Sequence, residues 1–192
     1  MNSAKELAQY IESQAGNQDR FVVAISGFGG SGKSTTSKML LSLLDETTVI
    51  HTDDFIAADD SGALEGYHLD WLKLEGQAIK NAKNAQKITS RIYDWDSNRP
   101  VYEEVPASKY IIFEGSIWLI QNKFKKFFDL MVWIDVPQDI ANARGKKRDK
   151  EEHGVDHDEL WDSVWSPREK DSFSKLQPAE NADILLSNDF AE

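Results

Sequence analysis

Residues 21–34 read Phe-Val-Val-Ala-Ile-Ser-Gly-Phe-Gly-Gly-Ser-Gly-Lys-Ser. An apolar run stops at Gly27 and delivers the pattern G-x-x-x-x-G-K-S into a helical pattern carried on by Met39, Leu40, Leu43 and Leu44. Wrapping an anionic polyphosphate takes consecutive backbone N–H groups, and the turn that presents them is too tight for a Cβ at several positions. Gly27, Gly29, Gly30 and Gly32 are expected to supply that freedom, with Ser31 and Thr35 completing the cradle. Lys33 is expected to reach the β- and γ-phosphates, and Ser34 to offer its hydroxyl to Mg²⁺. The helix that starts near Lys33 turns its partial positive end toward the anion. The plain alternative is a Gly-rich turn, which the flanking strand and helix patterns argue against.

Outward from this stretch, short apolar segments recur at 21–25, 48–51, 110–113, 130–136 and 183–186. Helix patterns lie between them at 34–44, 69–82, 137–152 and 158–175, the last expected to break at Pro167. Together with the Gly-Lys-Ser cradle motif of P-loop proteins, this alternation predicts an α/β fold, a three-layer P-loop NTPase domain with a mainly parallel five-stranded sheet and its site at the carboxyl ends of the strands. Residues 87–93 and 99–105 carry β-branched and aromatic side chains around Asp94-Trp95-Asp96-Ser97-Asn98, which predicts a small β-hairpin flap overhanging the site. One domain over 1–192 is expected, with the hairpin insert at about 87–106 and a helical lid at about 140–156.

Composition narrows the function classes. The chain has 192 residues, 40% of them hydrophobic, and no cysteine, so disulfide, thiolate and zinc-knuckle chemistry find no support. Residues 1–14 form a polar helix pattern with Leu7, Tyr10 and Ile11 on one side, without the apolar centre of a signal peptide. No segment approaches the roughly 20 apolar residues of a membrane span, and a cytoplasmic protein is expected. The net charge of −11 argues against a nucleic-acid partner. Positive charge is instead local, in Lys33 and in Arg144-Gly145-Lys146-Lys147-Arg148, where a triphosphate would meet it; read alone, that run is a solvated helix face.

Two strand ends carry carboxylates. The run 48–51 leads into Thr52-Asp53-Asp54-Phe55, facing the cradle, where an Asp can take a proton from an incoming hydroxyl or hold Mg²⁺ through water. An Asp pair at a strand end is otherwise an ordinary turn signal. Ile111-Ile112-Phe113-Glu114-Gly115 ends in a carboxylate that must leave the core or be paired. Its alternative role is to cap a helix at Ser116.

Taken in order, the cradle, Asp-Asp-Phe at 53–55, Tyr-Asp-Trp at 93–95, Phe-Glu-Gly at 113–115 and Arg-x-x-x-Arg-Asp at 144–149 resemble the uridine kinase family. That family sits in the group that also holds phosphoribulokinase, nicotinamide riboside kinase and bacterial pantothenate kinase. The resemblance runs from Phe21 to Leu186. It implies an ATP- and Mg²⁺-dependent phosphotransferase acting on a small-molecule hydroxyl, with a nucleoside as the first expectation. Asp53 would be the general base and part of the Mg²⁺ environment, with Asp54 as the fallback beside the acceptor. Glu114 would sit by Mg²⁺ with Ser34. Arg144 and Arg148 match the lid arginines that close over ATP, with Asp149 orienting Arg148. Tyr93 and Trp95 match the hairpin aromatics that flank an acceptor's base, unless they only stabilise the ribbon. Asp70 would hold a ribose hydroxyl or cap a helix. A homo-oligomer is left open.

The chain departs from the family pattern at three places. Asn98 stands where nucleoside kinases of this type usually carry a pyrimidine-recognising histidine, Tyr67-His68-Leu69-Asp70 only loosely matches Asp-His-Pro-Asp, and Ala141 replaces the first lid arginine. His153 and His157 lie four apart, but Gly154 and the acidic flank read as a lid loop rather than a zinc site. Trp161 and Trp165 are expected to anchor the last long helix on the sheet, and Arg168 either meets a phosphate or pairs with nearby acids.

Overall fold

The computed structural model describes residues 1–58, 64–84, 87–94, 97–106, 108–115, 117–152 and 154–188. Its sheet is built from β1 (Phe21–Ser26), β2 (Thr47–His51), β7 (Tyr110–Gly115), β8 (Leu130–Asp135) and β9 (Ile184–Ser187), in the order β2-β7-β1-β8-β9. All four pairings are parallel. All six residues of β1 and of β7 are buried, as strands covered on both faces must be, which is why their sequences are apolar without alternation.

Register does the positioning. Ile25 pairs with Glu114 and His51 pairs with Glu114, so the ends of β1, β2 and β7 lie level. The chain leaves β1 for β2 and skips the slot that β7 later fills. This makes a crevice at the carboxyl edge, where ligands of open α/β sheets bind.

Helices flank the sheet. α1 (Ala4–Ala15) buries Leu7 and Ile11 against α2 (Lys33–Leu43) and the core. Tyr10 turns out to be exposed rather than sharing that face, because it lies beside the stripe defined by positions 7 and 11. Ser3 caps α1 by accepting from Glu6 N–H, while Glu6 reaches back to the N–H of Asn2. A helix over 71–83, α3, contains a π-helical stretch at Leu74–Ile79. Asp129 ties α3 to the sheet: it accepts from Val22 N–H at 2.9 Å and pairs with Lys83.

Two two-stranded ribbons lie beside the sheet. β5 (Ile88–Asp94) and β6 (Arg99–Val105) form the expected antiparallel hairpin, from Ile88↔Val105 to Asp94↔Arg99. β5 packs on the 3₁₀ turn Thr52–Phe55 at the end of β2. A second ribbon, β3 (Ile56–Ala58) with β4 (Leu64–Leu69), has no counterpart in the sequence-based expectation, because 64–69 lacks a clear alternation of apolar and polar residues.

The last long helices are α4 (Gln138–Glu151) and α5, which spans 158–176. Pro167 does not break α5. The irregularity falls one turn earlier, at the π-helical Trp161–Trp165, where Ser166 N–H bonds Trp161 O five residues back. That widened turn makes room for a proline whose ring would clash with an α-helical carbonyl. A short α6 (Pro178–Asn181) leads into β9.

Candidate active site

β1 ends at Ser26 and the chain turns through the glycines into α2, whose N-cap is Gly32. Only Gly30 (φ +78°) and Gly32 (φ +95°) use left-handed backbone; Gly27 and Gly29 do not. Gly29 is needed for space instead, since a Cβ there would lie 2.6 Å from the ring of Trp161. At Gly30 a Cβ would lie 2.0 Å from the carbonyl of Ala141 on α4, so the cradle and α4 are in close contact. Lys33 folds back and donates its ammonium to Gly27 O (3.2 Å) and Phe28 O (2.9 Å). Ser31 is buried and its carbonyl accepts from the Asn188 amide at 2.7 Å; Thr35 sits exposed on the first turn of α2.

Beside the cradle, Glu114 at the end of β7 is 5% exposed. Its Oε1 accepts from Ser34 Oγ at 3.1 Å and lies 2.5 Å from His51 Nδ1. Burial pushes the Glu114 carboxyl up, but the hydrogen bond with His51, the Lys33 charge, the charge on His51 and the Ser34 bond outweigh it and hold it below its ordinary value. The bond to Glu114 raises His51 in turn, against burial, with help from the charges of Glu114, Asp54 and Asp53. Asp53, in the turn after β2, is exposed to solvent. Desolvation by the protein on its inner side still pushes its pKa up, Glu114 adds to the rise, and Lys33, His51 and Arg148 oppose it. Asp54 is half-buried on the same turn.

A serine hydroxyl and a carboxylate are hard oxygen donors, and they converge where the cradle ends. Among the described residues no group of three or more His, Cys, Asp or Glu side chains is arranged to hold a metal. This donor set fits Mg²⁺, which keeps most of its shell as water and phosphate oxygen and takes one or two protein ligands.

The two arginines expected in a lid have different partners. Arg148 donates Nε (3.2 Å) and Nη2 (2.7 Å) to Asp149 Oδ1, and its charge acts on Asp53. Asp149 is 4% exposed; its Oδ2 accepts from Trp161 Nε1 at 2.9 Å and lies 3.3 Å from His157 Nδ1. Burial works against that charge, but the bonds from Arg148 and Trp161 and the guanidinium charge hold the carboxyl below its usual range. Arg144 instead donates to the carbonyl of Asn188, after β9. Trp161 does not anchor α5 on the sheet: its ring lies between Gly29 and Gly145, and Phe173, packed on Phe28 and Trp133, makes the sheet contact.

Of the acceptor-side candidates, Tyr93 is buried on the hairpin, and Trp95 lies outside the described residues. Asp70 is engaged as the N-cap of α3, where Oδ1 accepts from Lys73 N–H at 3.1 Å and Oδ2 pairs with the Lys73 ammonium. Asn98 adopts φ +52°, a left-handed turn position that asparagine tolerates and histidine also visits. His153 and Ser116 lie outside the described residues, so the histidine pair and the helix cap at Ser116 do too. Arg168 is exposed.

Sequence reasoning missed three residues. His51 holds Glu114. Glu169, on α5, accepts from the cradle amide Gly29 N–H at 2.8 Å, while its Oε2 is buried with no hydrogen-bond partner among the described residues. Burial and the charge of Asp53 raise the Glu169 carboxyl, opposed by Lys33 and by the Gly29 bond. Trp161 is the third, and it left a signal: Gly145 stands mid-helix, where glycine costs about 1 kcal/mol relative to alanine and so marks a close approach.

A family model described as phosphoribulokinase / uridine kinase family matches residues 62–187, about two thirds of the chain. A nicotinamide riboside kinase from Saccharomyces cerevisiae is 26% identical over 155 residues, covering 66% of this chain and 65% of that protein. A uridine kinase from Borrelia garinii subsp. bavariensis is 23% identical over 175 residues, covering 86% and 85%. In three dimensions, a Silicibacter sp. TM1040 protein provisionally named a fructose transport system kinase superposes with a TM-score of 0.69 over 97% of this chain and 98% of its own, at 21% identity. The family model spans more than half of the sequence, and relatives with different kinase names align over most of it: the chain belongs to the phosphoribulokinase / uridine kinase family of P-loop kinases.

Proposed function

We propose that this protein is an ATP-dependent kinase that transfers the γ-phosphate of ATP to a hydroxyl group of a nucleoside. The observation that carries this reading is the meeting of four chemical parts at one sheet edge. These are the cradle with Lys33, the Ser34–Glu114 oxygen pair, Asp53 in the turn after β2, and Arg148 held by Asp149.

The chemistry follows from their properties. A phosphoryl group in flight through a loose transition state needs in-line positioning and compensating positive charge. The cradle amides and Lys33 hold the donor's phosphates, and Lys33 leaves its loop carbonyls to do so. Ser34 and Glu114, with Asp53 nearby, would hold Mg²⁺, which would supply charge neutralisation at the phosphates. Asp53 aligns the acceptor hydroxyl and takes its proton, and its raised pKa makes it a better base than an ordinary carboxylate. Arg148 offers its guanidinium to the charge that builds on the transferred group. Arg144, bonded beside Asn188, serves the nucleotide side. Tyr93, the hairpin and Asp54 stand on the acceptor side.

A second reading keeps the chemistry and changes the acceptor to nicotinamide riboside, pantothenate or a sugar. Asn98 in place of the pyrimidine-recognising histidine, on an exposed turn, supports it. The deciding experiment is ADP release from Mg·ATP by the purified protein, alone and with uridine, cytidine, other nucleosides, nicotinamide riboside, pantothenate and simple sugars. Stimulation by a nucleoside is the expected result. Stimulation by another compound only would move the assignment to that acceptor. ATP hydrolysis that no acceptor stimulates would turn the reading to a nucleotide-dependent regulatory ATPase.

A further inference from the structure

Trp161 touches two glycines on different elements. A Cβ at Gly29, in the cradle, would lie 2.6 Å from its Cη2 and 2.9 Å from its Cζ3. A Cβ at Gly145, on α4, would lie 2.5 Å from Cζ2 and 2.6 Å from Cη2. Neither glycine has a positive φ, so the ring, not the backbone, accounts for both. The same indole donates its N–H to Asp149 Oδ2 at 2.9 Å in a buried bond, and Asp149 Oδ1 takes both Nε and Nη2 of Arg148. The cradle, the lid helix and the lid arginine therefore meet on one side chain, which is 4% exposed.

We propose that Trp161 is a positioning residue for phosphoryl transfer, locking Asp149 and through it the Arg148 guanidinium in a fixed relation to the phosphate cradle. The proposal rests on the kinase reading above. A tryptophan serving only to fill space needs no partner for its N–H beyond a backbone carbonyl or water. Here the partner is the carboxylate that orients the arginine, and the ring edge that fixes the indole's height rests on the loop that would carry the phosphates. Asp149 has two oxygens and four donors around it: Arg148 Nε and Nη2, Trp161 Nε1 and His157 Nδ1. Removing the indole N–H frees Oδ2 to rotate, and because the carboxylate turns as one plane, Oδ1 and the Arg148 Nε and Nη2 it holds turn with it. The π-helical turn at Trp161–Trp165 sets the indole where an unbroken α-helix would offset it, a placement often found at functional sites.

The test uses Trp161→Phe, which keeps an aromatic ring and removes the donor, with Arg148→Ala and the double variant. In ADP release from Mg·ATP, W161F is expected to lower kcat about tenfold while KM for ATP stays within about twofold. In the R148A background it should have no further effect, because the interaction it serves is already gone. Equal losses in both backgrounds, or an unchanged kcat, would overturn the proposal. A second readout does not depend on turnover. The Arg148 Nε–H resonance, assigned by its loss in Arg148→Lys, should move in the ¹⁵N spectrum of W161F, and a resonance that stays in place overturns the proposal even in a protein with no measurable activity. A wild-type protein without ADP release under any condition sinks the kinase reading instead, leaving the resonance as the judge of the positioning. Should W161F fail to fold, Gly145→Ala, whose methyl displaces the ring, is expected to give the same loss of kcat and the same non-additivity with R148A.

Discussion

The pair at Asp53 and Glu169 shows how two carboxylates near one lysine differ in their expected contribution. Asp53 faces the crevice where an acceptor would enter, so Asp53→Asn is expected to reduce turnover by about a thousandfold and leave ATP affinity within about twofold. Retained turnover in steady-state kinetics would pass the base to Asp54. Glu169 occupies a cradle amide that a phosphate oxygen needs, with its charge in the field of Lys33. Glu169→Ala should therefore tighten ADP binding about fivefold in calorimetric titration, and unchanged or weaker binding would refute that competition. His51 adds a pH signature. Its folded pKa is raised by Glu114, so the stability it contributes is full below its unfolded value of about 6.5 and is lost as pH rises through the folded one. In chelator, the melting-temperature gap between the wild type and His51→Asn should be widest near pH 6 and close toward pH 9, and a gap that grows with pH would contradict the pairing. None of these contacts was legible from spacing. Glu169 and Gly29 are 140 positions apart, and only the packing of α5 across the cradle joins them.

Elements were easier to foresee than contacts, for a physical reason. The central parallel strands β1, β7 and β8 are buried on both faces and so apolar nearly throughout, which makes their runs the clearest; Gly-Lys-Ser marks the start of α2, and the aromatic and β-branched residues of 87–105 mark the hairpin. What failed were local punctuation rules that tertiary structure overrides. Pro167 looked like a helix stop, but a π-helical turn before it absorbs the missing N–H. Asp70 has two readings from sequence, and the capping one is what the fold shows at the start of α3. Asp70→Ala is accordingly expected to destabilise the protein by about 1 kcal/mol in urea unfolding. Loss of acceptor affinity at unchanged stability would give Asp70 back to the acceptor.

At the scale of the whole molecule, the sheet, the flanking helices and the β5–β6 hairpin share one core that runs from Leu7 on α1 to Leu186 on β9. Thermal unfolding is expected as a single transition, raised by Mg·ADP in proportion to the logarithm of ligand concentration; two transitions in calorimetry would divide the core. Against a net charge of −11, Lys33 and Arg148 bring positive charge to this crevice, where both act on Asp53. The indole wedged between Gly29 and Gly145 has one more consequence, an optical one. Its ring edge lies on the loop that phosphates would fill, and its N–H points at a carboxylate, so its excited state senses the local electric field. The protein carries its own dye: emission from Trp161, isolated by difference against W161F, should change colour and yield as a nucleotide enters, reporting occupancy without any label.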